Sequence, residues 1–152
     1  MAKKLQELIP NMAILDGDEL REWLSTKDFS REGRNEHNKK VAHLAKLLLN
    51  HNVPTVVSLI SPFNENRKYA REIMGNDRFV EIYIKCSLSL CEKRDDKGMY
   101  KKARQNEIKN FTGVNDDYDI PNNPDLIVDT ETESLDKNVK QIMDYLSAHN
   151  FQ

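Results

Sequence analysis

The densest group of cations in the sequence lies between Lys97 and Pro121, in the stretch KGMYKKARQNEIKNFTGVNDDYDIP. Its first thirteen residues contain five lysines and arginines, and Glu107 is the one acid among them. Positive charge without matching acids favours a polyanionic ligand, whereas the plainer alternative is a solvated basic helix. The five cations are Lys97, Lys101, Lys102, Arg104 and Lys109.

A single large aromatic ring follows these cations. Phe111 stands two residues before Gly113, and a glycine can adopt the positive φ that bends a chain sharply. The bend could present the ring outward against a flat ligand. The cations could bind phosphates and the ring could stack on a base, so the stretch predicts a nucleotide site. The alternative is a loop in which Phe111 only anchors the chain.

Two carboxylates, Asp16 and Asp18, follow an apolar run at residues 12–15 that is typical of a short buried strand. Ligands of open α/β sheets bind at the carboxyl ends of the strands. In a phosphoryl-transfer site such acids hold Mg²⁺, directly or through water, or accept the proton of the attacking hydroxyl. The alternative for an isolated DGD is a turn followed by a helix N-cap.

A second polar group is predicted at the start of a long helix from Arg31 to about Asn52, with Ser30 as its N-cap. The core-facing stripe is formed by Val41, Leu44, Ala45 and Leu48. Basic residues in the first turn, such as Arg34, oppose the helix dipole and therefore favour an anionic partner. A solvated helix start is the alternative.

Strands and helices alternate along the whole chain, which predicts a three-layer α/β sandwich with a parallel sheet in one domain, residues 1–152. Near-continuous apolar runs, as in strands buried on both faces, occur three more times. They are Thr55 to Ile60, Phe79 to Ile84 and Leu126 to Val128. Further helices are predicted from Asn64 to Met74, through Leu88 to Arg94, and from about Leu135 to Leu146.

Composition narrows the function classes. The net charge of −2 and pI of about 6.1 give no reason to expect nucleic acid or an anionic membrane as a partner. A signal peptide and an apolar run long enough to span a bilayer are both missing from the sequence, so we expect a cytoplasmic protein. Cys86 and Cys91 are expected to be reduced, and the four histidines do not form a metal-binding pattern.

These stretches resemble, in the same order, five motifs of the adenylylsulfate kinase family, most closely in KGMYKKARQNEIKNFTG followed by DDYDIP and NPDLIVDT. That family transfers the γ-phosphate of ATP to the 3′-hydroxyl of adenosine 5′-phosphosulfate (APS), giving PAPS in sulfate assimilation. The resemblance implies a P-loop kinase fold, ATP and APS as partners, and Mg²⁺ as the cofactor. It also implies that residues 97–121 form a mobile lid, and that a homodimer is an alternative to a monomer.

The resemblance also implies roles for individual residues. In LDGDELR, Asp16 and Asp18 would be catalytic; Asp18 would be nearest the acceptor hydroxyl, and Asp16 could hold Mg²⁺ through water. Phe29 would stack on the acceptor's adenine opposite Phe111, and Arg34 would hold its phosphosulfate. The remaining acceptor-binding candidates are Arg21, Asn38, Ile60, Ser61 and Lys109. Arg94 in CEKRD would contact the adenine of ATP, Lys97, Lys101 and Gly113 belong to the lid, and Arg67 and Arg71 resemble positions that face the ligand.

The stretch FSREGRNEHNKK departs twice from the family's usual FSxxDRxENxRR. Gly33 replaces the usual Asp. His37 stands where the family has Asn, with Asn38 one place later, so either residue could make that contact.

The phosphate-binding motif GxxxxGK[ST] does not occur in the sequence. In this fold its backbone N–H groups hold the ATP phosphates, so we expect little or no kinase activity from these 152 residues. The alternatives are a family enzyme without its N-terminal part and an inactive relative that still binds APS; another small-molecule kinase is disfavoured. Because the family's first strand lies between the second and third strands predicted here, those two should pair directly or be completed by another molecule.

Overall fold

Helices and parallel strands alternate in the protein, which confirms the predicted α/β class. The computed structural model describes residues 1–24 and 27–151. The helices are α1 (Ala2–Leu8), α2 (Gly17–Trp23), α3 (Arg31–Asn50), α4 (Asn64–Met74), α5 (Leu88–Arg94), α6 (Met99–Arg104) and α7 (Leu135–Ala148). The strands are β1 (Ala13–Asp16), β2 (Thr55–Ser58), β3 (Ile82–Lys85) and β4 (Leu126–Asp129).

Side-chain caps define where the longer helices begin. The hydroxyl of Ser30 accepts a hydrogen bond from the backbone N–H of Gly33 at 3.1 Å, which confirms the predicted N-cap of α3. Ser134 caps α7 in the same way, through the N–H of Lys137 at 3.4 Å. Both helices therefore begin at the residue that satisfies their free N–H groups.

The strands form two separate parallel pairs. Ala13 lies opposite Thr55 in the β1–β2 pair, and Ile82 lies opposite Leu126 in the β3–β4 pair. Within residues 1–24 and 27–151, β2 and β3 do not pair with each other. The first of the two expected outcomes for these strands, direct pairing, is therefore wrong, and completion by another molecule stays a prediction.

Each pair of strands has its own core. Leu15 of β1 packs with Val41 and Ala45 of α3 and Met74 of α4. Val128 of β4, which has no exposed surface, packs with helices α1 and α7. Val139, Ile142, Met143 and Leu146 of α7 belong to this second cluster, whereas Leu135, the first residue of the helix, is 44% exposed. Helices thus cover the strands in layers, as expected for an α/β sandwich.

Among the described residues, none of the helices is long and apolar enough to cross a membrane. Cys86 and Cys91 are free thiols.

Candidate functional site

The predicted site residues gather where β1 and β2 end. Asp16, the last residue of β1, lies opposite Ser58 of β2, so the chain segments that follow the two strands start side by side. Helix α3 contributes its first turns, and residues 97–121, which we call the lid, reach the same place through a hydrogen bond from Arg34 to the carbonyl of Asn110. Strand ends, a helix start and the lid therefore meet at one edge of the fold.

The two candidate catalytic acids lie in different environments. One carboxylate oxygen of Asp16 accepts the backbone N–H of Asp18 at 3.0 Å and that of Glu19 at 3.3 Å. Asp16 therefore caps α2, which leaves its other oxygen for a further role. The side chain of Asp18 is 80% exposed and pairs with Lys97 of the lid at 2.9 Å. This hydrogen bond and the charge of Asp18 raise the pKa of Lys97.

Arg34 is the buried cation of the site, since it is only 7% exposed. Its Nε donates to the carbonyl of Phe29 at 3.1 Å and its Nη2 to the carbonyl of Asn110 at 2.6 Å. The carboxylate of Asp116, also in the lid, lies 3.6 Å from Nε. That distance is too long for a hydrogen bond but close enough for attraction. Burial lowers the pKa of Arg34 and the charge of Asp116 opposes this effect, so Arg34 already has one anionic oxygen beside it.

The ring of Phe29 is held between cations. The guanidinium of Arg21 lies 4.5 Å from the ring centre and that of Arg34 lies 5.5 Å from it. Phe29 is nevertheless 46% exposed, so part of its surface remains available to a ligand. Burial and the nearby Arg34 lower the pKa of Arg21.

The two residues that compete for the family's Asn position, His37 and Asn38, are both buried, at 1% and 8% exposure. Burial, with help from Arg21 and Lys40, lowers the pKa of His37 to about 4, so this histidine is neutral at physiological pH. The Nδ2 of Asn38 has no hydrogen-bond partner among the described residues. A buried amide donor without a partner costs free energy, so Asn38 is a candidate to donate to a ligand, and the choice between Asn38 and His37 stays a prediction.

The lid is partly ordered by its own contacts. Helix α6 begins after Asp95, whose carboxylate accepts the backbone N–H groups of Tyr100 and Lys101 at 3.0 Å each. The ring of Phe111 packs edge-on against Tyr100, with the ring centres 4.9 Å apart. Gly113 has a φ of +84°, as its predicted role in a bend requires. The side chains of Lys101 and Lys109 are exposed.

The turn after β2 contains Ile60 and Ser61. Ile60 is 57% exposed, and the carbonyl of Ser61 accepts a hydrogen bond from Arg67. Arg67 and Arg71, which were expected to face a ligand, instead make internal contacts. Arg67 bonds to backbone and side-chain oxygens around it, and Arg71 pairs with Asp125 at 2.5 Å. These contacts arise because α4 turns both guanidinium groups toward Glu81, just before β3, and Arg67 also reaches Asp119 near the end of the lid.

Arg94, the candidate for ATP binding, is the last residue of α5 and contacts Thr130, which follows β4. Its Nη2 donates to the carbonyl of Thr130 at 2.7 Å and its Nη1 reaches the Thr130 hydroxyl at 3.4 Å. The residue remains exposed, so a face of the guanidinium is accessible at the end of β4.

Three residues in the site were not among the sequence candidates. Asp116 lies beside Arg34, Tyr100 packs on Phe111, and Asp28 packs on Gly33. Asp116 belongs to the acidic turn NDDYD, and Tyr100 lies within the basic stretch, so both carried a signal. Asp28 carried a weaker one, as an acid two residues before an N-cap serine.

The chemistry of this arrangement suits an anionic nucleotide acceptor. A buried arginine lies 5.5 Å from the centre of a half-exposed ring, a buried amide donor stands on the same helix as the arginine, and a carboxylate ends β1. Within the described part of the chain, His, Cys, Asp and Glu do not form a cluster that could hold a metal ion.

Comparison with known proteins gives a consistent assignment. The family model described as adenylylsulphate kinase matches residues 1–129. An adenylyl-sulfate kinase of Clostridium acetobutylicum is 44% identical over 150 residues, covering 98% of this chain and 74% of its own length. One from Oceanobacillus iheyensis is 41% identical over 147 residues, covering 96% and 74%. The Mycobacterium tuberculosis APS kinase CysC, solved in complex with AMPPNP and APS, superimposes with a TM-score of 0.85 at 36% identity over 96% of this chain and 85% of that chain. This chain belongs to the adenylylsulfate kinase family.

Proposed function

We propose that this chain forms the acceptor half of an ATP-dependent adenylylsulfate kinase, the enzyme that phosphorylates the 3′-hydroxyl of APS. The observation that carries the proposal is the buried Arg34, which lies beside a half-exposed ring and an unsatisfied amide donor at the end of β1. The solved M. tuberculosis relative in complex with AMPPNP and APS supports the same pair of substrates.

The acceptor's charged groups would bind at Arg34. Asp116 already places a negative oxygen 3.6 Å from its Nε, and the phosphosulfate would take that place with better hydrogen-bond geometry. The adenine would stack on Phe29, with Phe111 closing over it, and the amide of Asn38 would donate to the acceptor. Lys109, exposed in the free lid, would approach the anion as the lid closes.

The 3′-hydroxyl would be oriented by Asp18. In the free protein Lys97 of the lid pairs with this carboxylate at 2.9 Å. The ammonium group of Lys97 occupies the carboxylate at which the hydroxyl would bind. Lys97 must therefore turn away, toward the transferring phosphate, before Asp18 can take the hydroxyl proton.

The donor would be ATP with Mg²⁺, whose role is to neutralise charge on the transferring phosphoryl group. Arg94 would contact the adenine of ATP, and Asp16 would hold the cation's water shell through the carboxylate oxygen that does not cap α2. Since GxxxxGK[ST] does not occur among the 152 residues, we expect these residues alone to transfer phosphate slowly or not at all.

A cytoplasmic location fits both substrates and the free thiols, and a homodimer is the proposed assembly.

A binding module without catalysis is the second candidate function. The same missing motif favours it, and the acceptor contacts would be unchanged. The two candidates differ in one observation: a chimaera that carries a relative's phosphate-binding loop should phosphorylate APS only if Asp16, Asp18 and the lid are competent.

Calorimetric titration with APS, and separately with ATP·Mg²⁺, tests the proposal. We expect the chain to bind APS without ATP. Phe29→Ala and Phe111→Ala should each weaken APS by about 5- to 150-fold, because stacking on a base contributes about 1 to 3 kcal/mol. The control is Trp23→Ala, which removes a ring that is 70% exposed and lies outside the proposed site.

Failure of the unmodified chain to bind APS would contradict the proposed acceptor half. In the chimaera, Phe111→Ala should weaken the binding of APS far more than the binding of ATP. Equal losses for both nucleotides would rule out the stacking role of Phe111.

A further inference from the structure

Arg67 of α4 joins four separate parts of the fold although it is only 8% exposed. Its Nη1 donates to the carbonyl of Ser61, in the turn after β2. Its Nη2 donates to the Asn64 side chain at 2.5 Å and to the carbonyl of Asp119 at 2.7 Å. The carboxylate of Glu81, just before β3, lies 3.1 Å from its Nε. Nη1 and Nη2 are therefore bonded to internal oxygens, while the buried Nε lies near Glu81 without a hydrogen bond among the described residues.

The contact with Asp119 concerns the lid, because Asp119 lies two residues before the lid ends. Two further hydrogen bonds hold it there: its N–H donates to the carbonyl of Pro62 at 2.7 Å, and its carboxylate accepts the N–H of Asn64 at 3.0 Å. The ring of Tyr118, the preceding residue, lies 5.9 Å from the Arg67 guanidinium. This end of the lid is consequently fixed to the turn that contains Ser61.

The opposite end of the lid is held differently. Its contact with the body of the site is the pair between Lys97 and Asp18, in which both side chains are at least 75% exposed. Exposed ion pairs contribute little and are screened by salt. The buried, multiply bonded Arg67 is therefore the stronger attachment of the two lid ends, while Arg34 holds the middle of the lid through Asn110.

Lysine could not replace Arg67 in this position. An ammonium group is a compact point charge, whereas the planar guanidinium donates in several fixed directions at once. Arg67→Lys would keep the charge near Glu81 but lose at least one of the bonds to Ser61 and Asp119.

We propose that Arg67 is a positioning residue that fixes the C-terminal end of the lid to the Ser61 turn and thereby sets the affinity for the acceptor. The inference rests on the proposed function, since Ser61 and the lid would contact APS together. Arg67 itself touches neither substrate. It acts by holding two acceptor-binding segments in one relative position before the ligand arrives, which reduces the ordering cost of binding.

Hydrogen exchange and calorimetry on Arg67→Lys test this role. Without ligand, the amides of Asn64 and Asp119 should exchange at least about tenfold faster than in the unmodified chain, since their bonds depend on the anchor. APS affinity should fall by about tenfold. The matched control is Arg71→Lys, one helical turn later, because Arg71 pairs with Asp125 and Glu81 instead of the lid; both readouts should change less than about twofold.

If the amides of Asn64 and Asp119 exchange hydrogen at the same rate in Arg67→Lys as in the unmodified chain, Arg67 does not anchor the lid. Faster exchange with unchanged APS affinity would overturn the positioning role and leave a structural contact. Failure of the unmodified chain to bind APS would count against the proposed function, while the exchange data would still decide whether the anchor exists. Should Arg67→Lys not fold, Arg67→Gln, whose amide can replace at most part of the guanidinium's bonds, is judged by the same two readouts.

Discussion

At the scale of single residues, the structure explains why Gly33 stands where the family motif has an acid. A Cβ atom at Gly33 would lie 2.5 Å from Cγ of Asp28 and 2.7 Å from its carbonyl oxygen. Asp28 therefore fills the space that a side chain at position 33 would need. Its carboxylate accepts the N–H of Ser30 at 2.8 Å, and its carbonyl accepts a bond from Arg21 at 3.3 Å. We infer that Asp28 supplies the carboxylate expected at position 33.

Substitutions at positions 28 and 33 should have coupled effects on the free energy of unfolding. Gly33→Asp should lower the free energy of unfolding by about 1 to 3 kcal/mol, because the new side chain collides with Asp28. Asp28→Gly in the same chain should recover most of that loss by emptying the space. Urea unfolding of both single variants and the double variant measures the coupling. If the loss of stability in the double variant equals the sum of the losses in the two single variants, Asp28 and Gly33 are independent.

His37 gives the protein a predictable response to pH. Its pKa is about 4 in the fold because burial disfavours the imidazolium, against about 6.5 in the unfolded chain. Above pH 6.5 both states are neutral and this residue has no effect on stability. As the pH falls from about 6.5 to 4 the unfolded state binds the proton first, so the free energy of unfolding should drop by about 3 kcal/mol.

Urea unfolding between pH 7.5 and 4 checks this expectation. His37→Asn should flatten the dependence on pH, even if the smaller side chain lowers stability at every pH. The matched control is His51→Asn, which makes the same substitution at an exposed position. If the free energy of unfolding of His37→Asn still falls with pH as steeply as that of the unmodified chain, other groups cause the pH response.

At the scale of elements, helices were easier to predict than strands. The bounds of α4, Asn64–Met74, agree with the expectation, and α3 begins after the predicted cap Ser30. Caps and apolar periodicity are local signals, so they can be found in the sequence. Strand β3 begins at Ile82, three residues later than predicted. The reason is not local: its partner β4 begins at Leu126, and Phe79 packs in the core of the other strand pair.

The lid illustrates the same limit. Its cations, Phe111 and the bend at Gly113 could be found in the sequence, because charge and glycine act locally. The attachment of the lid could not. Arg34 reaches the carbonyl of Asn110 across 76 positions of sequence, and Arg67 reaches that of Asp119 across 52. Backbone oxygens carry no residue-specific signal, so such contacts appear only in the folded chain.

At the scale of the whole molecule, β2 and β3, the strands expected to lie inside the sheet, carry side chains that are more exposed than those of their partners β1 and β4. Val57 of β2 is 42% exposed although its neighbour Leu15 in β1 is 7% exposed. Ile84 of β3 is 46% exposed although its neighbour Val128 in β4 has no exposed surface. Inner strands of a layered α/β sheet are normally the more buried ones. Among residues 1–24 and 27–151, the edges of β2 and β3 that face away from their partners pair with no other strand and lie beside exposed apolar side chains.

These edges should be covered by another polypeptide segment in solution, and in the purified chain that segment comes from a second molecule. We expect the chain to self-associate in sedimentation velocity runs, because exposed apolar edges pair with one another. Val57→Lys combined with Ile84→Lys should shift the chain toward monomer, since charges on an edge oppose pairing. Leu135→Lys, on α7 and similarly exposed at 44%, should leave the association unchanged. A chain that sediments as a monomer and binds no apolar dye would mean that these edges need no partner.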